Sequence, residues 1–413
     1  MKELTREEQI FLRLFSEAIS PKQNIREQND PEEIFSWEEV FKLSVMHHIS
    51  PMIYDCLGKL GWLQKVPEHM RNTWRTHAIT QMVSQQNRTK QFLTLYQELK
   101  RCQLNPIVIK GIVLRKLFPT PDFRTSQDED LLIPKEDLEK YDLILRRLGF
   151  KKENSSFQDE ELSYSLEETG FHLELHTKLF KSRSVCAGMN SWFTQCFQEY
   201  KEIKIQGQKV RTLKDTEHLM YLIGHCFQHF ACCGFGVRQL ADLALYAKAY
   251  ANAIDWGKVE SFTRECGLYE FWQVLLSMQQ QYLCMIPEKI GMPRQIWSGN
   301  LDTEIFMKDV LEGGVYGKSS LERVYSGNLM QSALSHQSSG KLSCIFRALF
   351  PSVKRAEQSY QWLEKYPYLL PVAWVFRFCK YRRKTKGRKK SATAALDIGR
   401  TRIEIARKYK ITV

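Results

Sequence analysis

No stretch of this chain approaches the ~20 consecutive apolar residues needed to span a bilayer. The nearest candidate, residues 366–379, is broken by Pro367, Pro371 and Arg377. The opening residues, MKELTREEQIFLRLF, mix charged with apolar side chains and lack the uninterrupted apolar core of a signal peptide. Its eleven cysteines are scattered, odd in number and without a Cys-x-x-Cys pair, a pattern of reduced thiols and not of a disulfide framework. Internal repeats are missing, as are low-complexity segments apart from one basic run. These absences predict a soluble cytoplasmic protein and argue against membrane-spanning, disulfide-stapled or solenoid architectures.

What is present suits a globular chain. Hydrophobic residues make up 43% and aromatics 12% of 413 residues, enough to bury a large core in two or three subdomains. The net charge of +13 is concentrated: between Lys380 and Lys390, eight of eleven residues are Lys or Arg and none is acidic. In the simplest reading this run is a solvated connector between helices. It is also the feature that could contact nucleic acid or hold the protein to the anionic inner face of a membrane.

Hydrophobic spacing divides the chain. Residues 1–105 read as helical: Ser36 and Glu39 have capping-box spacing for a helix starting at Trp37. Phe92, Leu95, Tyr96 and Leu99 mark one buried stripe of a helix over 79–102. Asn105-Pro106 breaks that helix, and an apolar strand over 107–109 follows. Mixed α/β patterning then runs over 106–212. It holds a helical stretch over 112–118, a strand closing the segment 107–133, a helix over 135–148, and two hairpins turning at 167–170 and at Gln206-Gly207. From Asp215, which has N-cap chemistry, residues 213–379 return to helix, and 380–413 form a basic tail with a terminal helix.

The segment 107–133, IVIKGIVLRKLFPTPDFRTSQDEDLLI, carries the chemistry. Residues two apart on a strand share a face, so Asp128 and Asp130 project together with Leu132, while Leu131 and Ile133 fill the other side. Like charges held side by side repel, and a fold keeps them most readily with a cation between them. Upstream stand a glycine turn at Lys110-Gly111 and a further cation, Arg124. A glycine turn, cationic side chains and paired hard oxygen ligands are the parts of a Mg²⁺-dependent phosphate-handling site.

With WEEVFKLSVMHHISPMIYDCL (37–57), FHLELHTKLF (171–180), LIGHCFQHF (222–230), VRQLADLALY (237–246) and IDWGKV (254–259) in order around that segment, the chain resembles a known family. This is the bacterial nucleotidyltransferase family often linked to polysaccharide gene clusters, within the polymerase-β-like superfamily. The resemblance runs from about residue 37 to 270 and, more weakly, through KYPYLLPVAWVFRF (365–378). It implies an α+β fold, a small mixed-sheet nucleotidyltransferase core over 106–212 flanked by N- and C-terminal helical segments. It also implies transfer of a nucleoside monophosphate from an NTP, ATP first among candidates, to a hydroxyl of a small molecule, sugar or protein, with pyrophosphate released. Asp128 and Asp130 match the family's metal pair, and Glu174 stands where a third carboxylate is expected. Alternation supports this, since Phe171, Leu173 and Leu175 would face the core and leave His172, Glu174 and His176 opposite. The three carboxylates would then hold two Mg²⁺ ions, or Mn²⁺, with Glu174 also the candidate general base. Lys110 and the Gly111 turn would hold phosphate oxygens, and Arg124 would neutralise the leaving pyrophosphate.

Other residues have weaker readings. His176 would orient Glu174 or touch substrate; with His172 it also offers zinc-type ligands, although an aspartate pair prefers a hard cation. His225 and His229, at i and i+4 with Cys232 and Cys233 behind, fit a packed pair lining the substrate pocket better than a transition-metal site. Arg238 and Asp242 have the spacing of a helix salt bridge; they also match family positions, so the resemblance implies a structural clamp near the active site. Two positions depart from the family pattern. Ile112 follows Gly111 where many superfamily members have Ser, leaving Lys110 to compensate. Glu129 stands between the aspartates where an apolar residue is usual, which signals an exposed strand end, an extra ligand or a decayed site. The last option keeps a second function open: a catalytically silent NTP-binding or interaction module with the same fold.

Overall fold

The computed structural model describes residues 3–20, 35–153, 160–297, 299–315, 320–334, 350–356, 360, 362–385 and 391–411. Four helices open the chain: α1 (Arg6–Ile19), α2 (Trp37–Met46), α3 (Ser50–Lys59) and α4 (Glu68–Arg101). Ser36 caps α2 by accepting the Glu39 amide, while the Glu39 carboxylate receives Lys42. α4 starts well before its apolar stripe. Its first turns are largely polar and are anchored by Trp74, which is fully buried and donates its indole N–H to the Ser50 carbonyl at 3.2 Å. Periodicity alone is therefore blind to them.

The sheet has seven strands: β1 (Ile107–Val108), β2 (Asp128–Leu132), β3 (Lys151–Lys152), β4 (Glu161–Leu166), β5 (Phe171–His176), β6 (Tyr200–Ile205) and β7 (Gln208–Leu213). They lie in the order β3-β4-β5-β2-β1-β7-β6. The sheet is mixed, with β2 parallel to β5 and β1 parallel to β7, the remaining pairs antiparallel. A single helical turn, α5 (Ile112–Arg115), links β1 towards β2, and α6 (Leu138–Arg147) links β2 to β3.

Both faces of the sheet are buried, against different partners. Val108, Leu131, Ile133, Leu173 and Leu175 pack with Phe92, Leu95, Tyr96 and Leu99 of α4 and with Tyr141 and Leu145 of α6. Ile107, Ile109, Leu132 and Leu213 join a second, larger core. It is built from α1, α3 and the helices α7 (Asp215–Cys232), α8 (Val237–Tyr250), α9 (Trp256–Glu265), α10 (Tyr269–Leu283) and α11 (Glu304–Gly313). N-terminal and C-terminal helices thus share one core, with α1 lying against α10. Asp215 is the first residue of α7, and Lys214 holds the cap position. The Asp215 carboxylate instead receives Lys201 and the Tyr246 hydroxyl.

α12 (Leu321–Leu334) and the last helix, Ser391–Lys408, close the helical body. Arg402 on that last helix is fully buried and donates to the Cys232 carbonyl at 3.0 Å and to the Phe230 carbonyl. The basic run begins within the helix Leu370–Thr385, and residues 386–390 lie outside the described residues. Phe92→Ala should cost about 3–5 kcal/mol in urea unfolding, whereas Ile79→Ala, on the exposed side of α4, should stay within about 0.5 kcal/mol. Equal losses at the two positions would contradict this assignment of the buried stripe.

Candidate active site

The site starts at the end of β1. His218 on α7 bonds the Ile109 carbonyl through Nε2 at 2.8 Å and is neutral, because burial pushes its pKa down to about 3. This fixes the chain just before Lys110 and Gly111. Gly111 has φ +53°, and a Cβ there would lie 2.0 Å from Glu129 Oε2, so only glycine fits. The Ile112 amide, first of α5, donates to Glu129 Oε2 at 2.9 Å. Arg115 on the same turn donates to Glu129 Oε1 at 2.6 Å, with both side chains at most 2% exposed. Glu129 is therefore neither an exposed strand end nor a ligand in the cleft. It is the buried staple of the glycine turn, on the opposite side of β2 from the aspartates. The amide that follows the glycine serves this carboxylate.

Parallel pairing of β2 with β5 sets Asp128 beside His172, Asp130 beside Glu174 and Leu132 beside His176. Alternation turns Asp128, Asp130, Glu174 and His176 towards α7. Asp130 is 1% exposed and lies 2.9 Å from both Lys110 Nζ and His176 Nε2. His176 Nε2 is 3.5 Å from Glu174 Oε2. One ligand atom each from Asp130, Glu174 and His176 lie within 4.8 Å of one another, a group able to hold a metal ion. That group takes His176 in place of Asp128, the third ligand expected from the sequence, and leaves out His172, whose ring is half exposed and 3.4 Å from Glu153.

Charge in this cluster is strongly redistributed. Burial and the Asp130 charge push the Asp128 carboxyl up to about 6. Asp130 is held well below the usual carboxylate range: burial opposes ionisation, but Lys110 and His176 outweigh it. His176 is the converse case, with burial opposing protonation and the bonds to Asp130 and Glu174 raising it to about 9. Lys110 stays charged against burial because Asp130 faces it. Its Nζ also donates to His225 Nε2 at 3.1 Å, and burial with the neighbouring ammonium keeps His225 neutral as the acceptor.

The opposite wall comes from α8 and the loop before β2. Arg124 grips Asp242 with two bonds of 2.7 Å, both side chains buried, and Arg238 donates to the Thr125 carbonyl. The pair expected within one helix is thus turned outwards, each member tying α8 to the 124–125 segment. His229 stacks edge-on against His225, ring centroids 4.5 Å apart.

Lys110, Gly111, Arg124, Asp128, Asp130, Glu174, His176, His225, His229, Arg238 and Asp242 all line one cleft of about 350 Å³ between the sheet and α7–α8, and His172 and Glu129 do not. Glu161, Lys178, Lys181 and Tyr221 line it too and were not among the site residues read from the sequence. Signals for three of them existed: Tyr221 precedes His225 by one helical turn, and both lysines fall within five residues of the end of β5. Lys178 pairs with Glu160 at 2.7 Å and Lys181 with Glu161 at 3.0 Å.

A fold that gathers paired carboxylates and cations around such a cleft defines a class, and sequence comparison agrees. The family model described as "uncharacterised nucleotidyltransferase" matches residues 33–283, and the chain belongs to that family. No curated protein and no solved structure matches it significantly. The staple gives a direct test. Arg115→Met leaves a buried charge uncompensated and should destabilise the protein by about 3–5 kcal/mol in urea unfolding. Adding Glu129→Gln should recover much of that loss, and strictly additive effects would argue against the pair.

Proposed function

We propose that this protein is a metal-dependent nucleotidyltransferase with a polymerase-β-like core. It moves a nucleoside monophosphate from an NTP, ATP first among candidates, to a hydroxyl acceptor on a small molecule, sugar or protein. The observation that carries this reading is the register that sets Asp130 beside Glu174, with Asp128 two residues along the same face. The donors suit a hard divalent cation: Asp128, Asp130 and Glu174 would hold two Mg²⁺ ions, with Mn²⁺ an acceptable replacement. When bound, such ions supply charge neutralisation at the phosphates and acidify the acceptor hydroxyl.

The chain's own groups would do the rest. Glu174 would accept the hydroxyl proton on a carboxylate oxygen as the acceptor oxygen bonds to the α-phosphorus. The bond from that phosphorus to the bridging oxygen breaks, and pyrophosphate leaves with the electron pair. Lys110 would bind a phosphate oxygen, a role supported by its Nζ lying at Asp130 beside the glycine turn. Arg124 would take charge on the departing pyrophosphate, its guanidinium already oriented by Asp242. His176 would orient Asp130 and Glu174, while His225, His229 and Arg238 shape the pocket beyond them. With Glu129 engaged by Arg115, one of the two departures that motivate the alternative of a silent NTP-binding module has a structural role; Ile112 in place of Ser is the other.

Incubation with α-labelled NTPs and Mg²⁺ should transfer label to an acceptor and release pyrophosphate. Asp128→Asn with Asp130→Asn should lower turnover at least about 100-fold. Binding of NTP unaffected by metal or by this double substitution would sink the assignment. The pH dependence has a definite sign. Below about pH 6 Asp128 takes up a proton, so Mn²⁺ affinity should fall. Above it, affinity should keep rising towards pH 9, as the proton that ties His176 to Asp130 becomes easier to remove. Mn²⁺ binding isotherms across pH 5 to 9, in the range of those pKa values, test this; a flat profile would contradict it.

A further inference from the structure

Among the described residues, the helix Leu370–Thr385 packs through Ala373 and Trp374. Ala373 is 1% exposed in a small core with Leu363 and Ala356, and the Trp374 indole N–H donates to the Pro351 carbonyl at 2.9 Å. The other side presents Val372, Val375 and Phe376 at 43%, 63% and 58% exposure. Exposed Cys379 completes an i, i+3, i+4, i+7 stripe, and Tyr368, 73% exposed, precedes it. Exposed Arg383 falls on the same face one turn further on.

Charge on this element has a single sign. From Lys365 to the end of the helix there is no acidic residue, while Arg377, Lys380, Arg382, Arg383 and Lys384 belong to the helix itself. The preceding acid, Glu364, is paired with Arg183 at 2.9 Å. No helix among the described residues is long and apolar enough to cross a membrane. A one-sided apolar stripe running into basic residues is the pattern of a helix lying in the plane of a bilayer surface.

We infer that the helix Leu370–Thr385 docks on an anionic membrane surface, with Val372, Val375 and Phe376 entering the headgroup boundary and the net positive charge of the segment drawing it to anionic headgroups. Charge complementarity selects this occupant over others. Nucleic acid would use the cations but leave the aliphatic residues in water. A second copy of the same face would bring like charges together.

Full-length protein is co-sedimented with vesicles of phosphatidylcholine alone and of phosphatidylcholine mixed with phosphatidylglycerol. Binding is expected only to the anionic vesicles, and to be lost at high salt. Val375→Glu with Phe376→Glu, both exposed and so compatible with an unchanged circular-dichroism spectrum, should weaken partition at least about 10-fold. Arg382→Gln with Arg383→Gln should weaken it roughly 30-fold. No anionic-vesicle binding at low salt overturns the inference, as does equal binding to neutral vesicles or wild-type binding by the glutamate pair. Capture of single-stranded RNA in preference to vesicles would overturn it in favour of a nucleic-acid surface. The outcome is independent of nucleotidyl transfer, which is read out without vesicles.

Discussion

Parallel pairing of β2 with β5 is held to a single register by burial of one face of the two strands. A slip by one residue would put Leu173 or Leu175 beside Asp130 and drive Glu174 into the core beneath α4. Leu131 and Ile133 on one strand, and Phe171, Leu173 and Leu175 on the other, forbid that slip, because their face is closed by α4 and α6. Apolar packing on one side of the sheet therefore fixes carboxylate geometry on the other. Everything at the cleft depends on this coupling.

Gathering carboxylates in a buried place carries an electrostatic penalty, and the neighbourhood is arranged to offset it. Lys110 and a protonated His176 both meet Asp130, so the most buried aspartate is neutralised by the chain itself. Asp128 has less compensation, and its carboxyl shifts the opposite way. α7 supplies the supporting groups from one face, with His218 on the Ile109 carbonyl and His225 on Lys110. The third acid of the triplet serves a different end. Glu129 spends its charge on Arg115 and on the Ile112 amide, where it shapes the glycine turn from behind.

Much of this was legible in the sequence, for a definite reason. Strand alternation is local, so the faces taken by Asp128, Asp130 and Glu174 follow from spacing two residues at a time. The hairpin turning at Gln206-Gly207 and the stripe of Phe92, Leu95, Tyr96 and Leu99 were readable for the same reason. What stayed hidden depends on partners distant in sequence. Nothing near Glu129 announces Arg115 as its partner, since a one-turn helix and a strand meet only in the fold. The spacing of Arg238 and Asp242 suggested a local pair, yet Asp242 reaches across to Arg124. The early turns of α4 were missed because their burial rests mainly on Trp74 and not on a periodic stripe. Tyr221, Lys178 and Lys181 enter the cleft only once α7 is docked on the sheet.

Crystals soaked with Mn²⁺ and a non-hydrolysable NTP analogue, read by anomalous scattering, give the most direct test of the central claim. The account predicts manganese peaks bounded by Asp128, Asp130 and Glu174, with the triphosphate extending past Lys110 towards Arg124. A metal peak elsewhere, or a nucleotide bound away from these carboxylates, would contradict it.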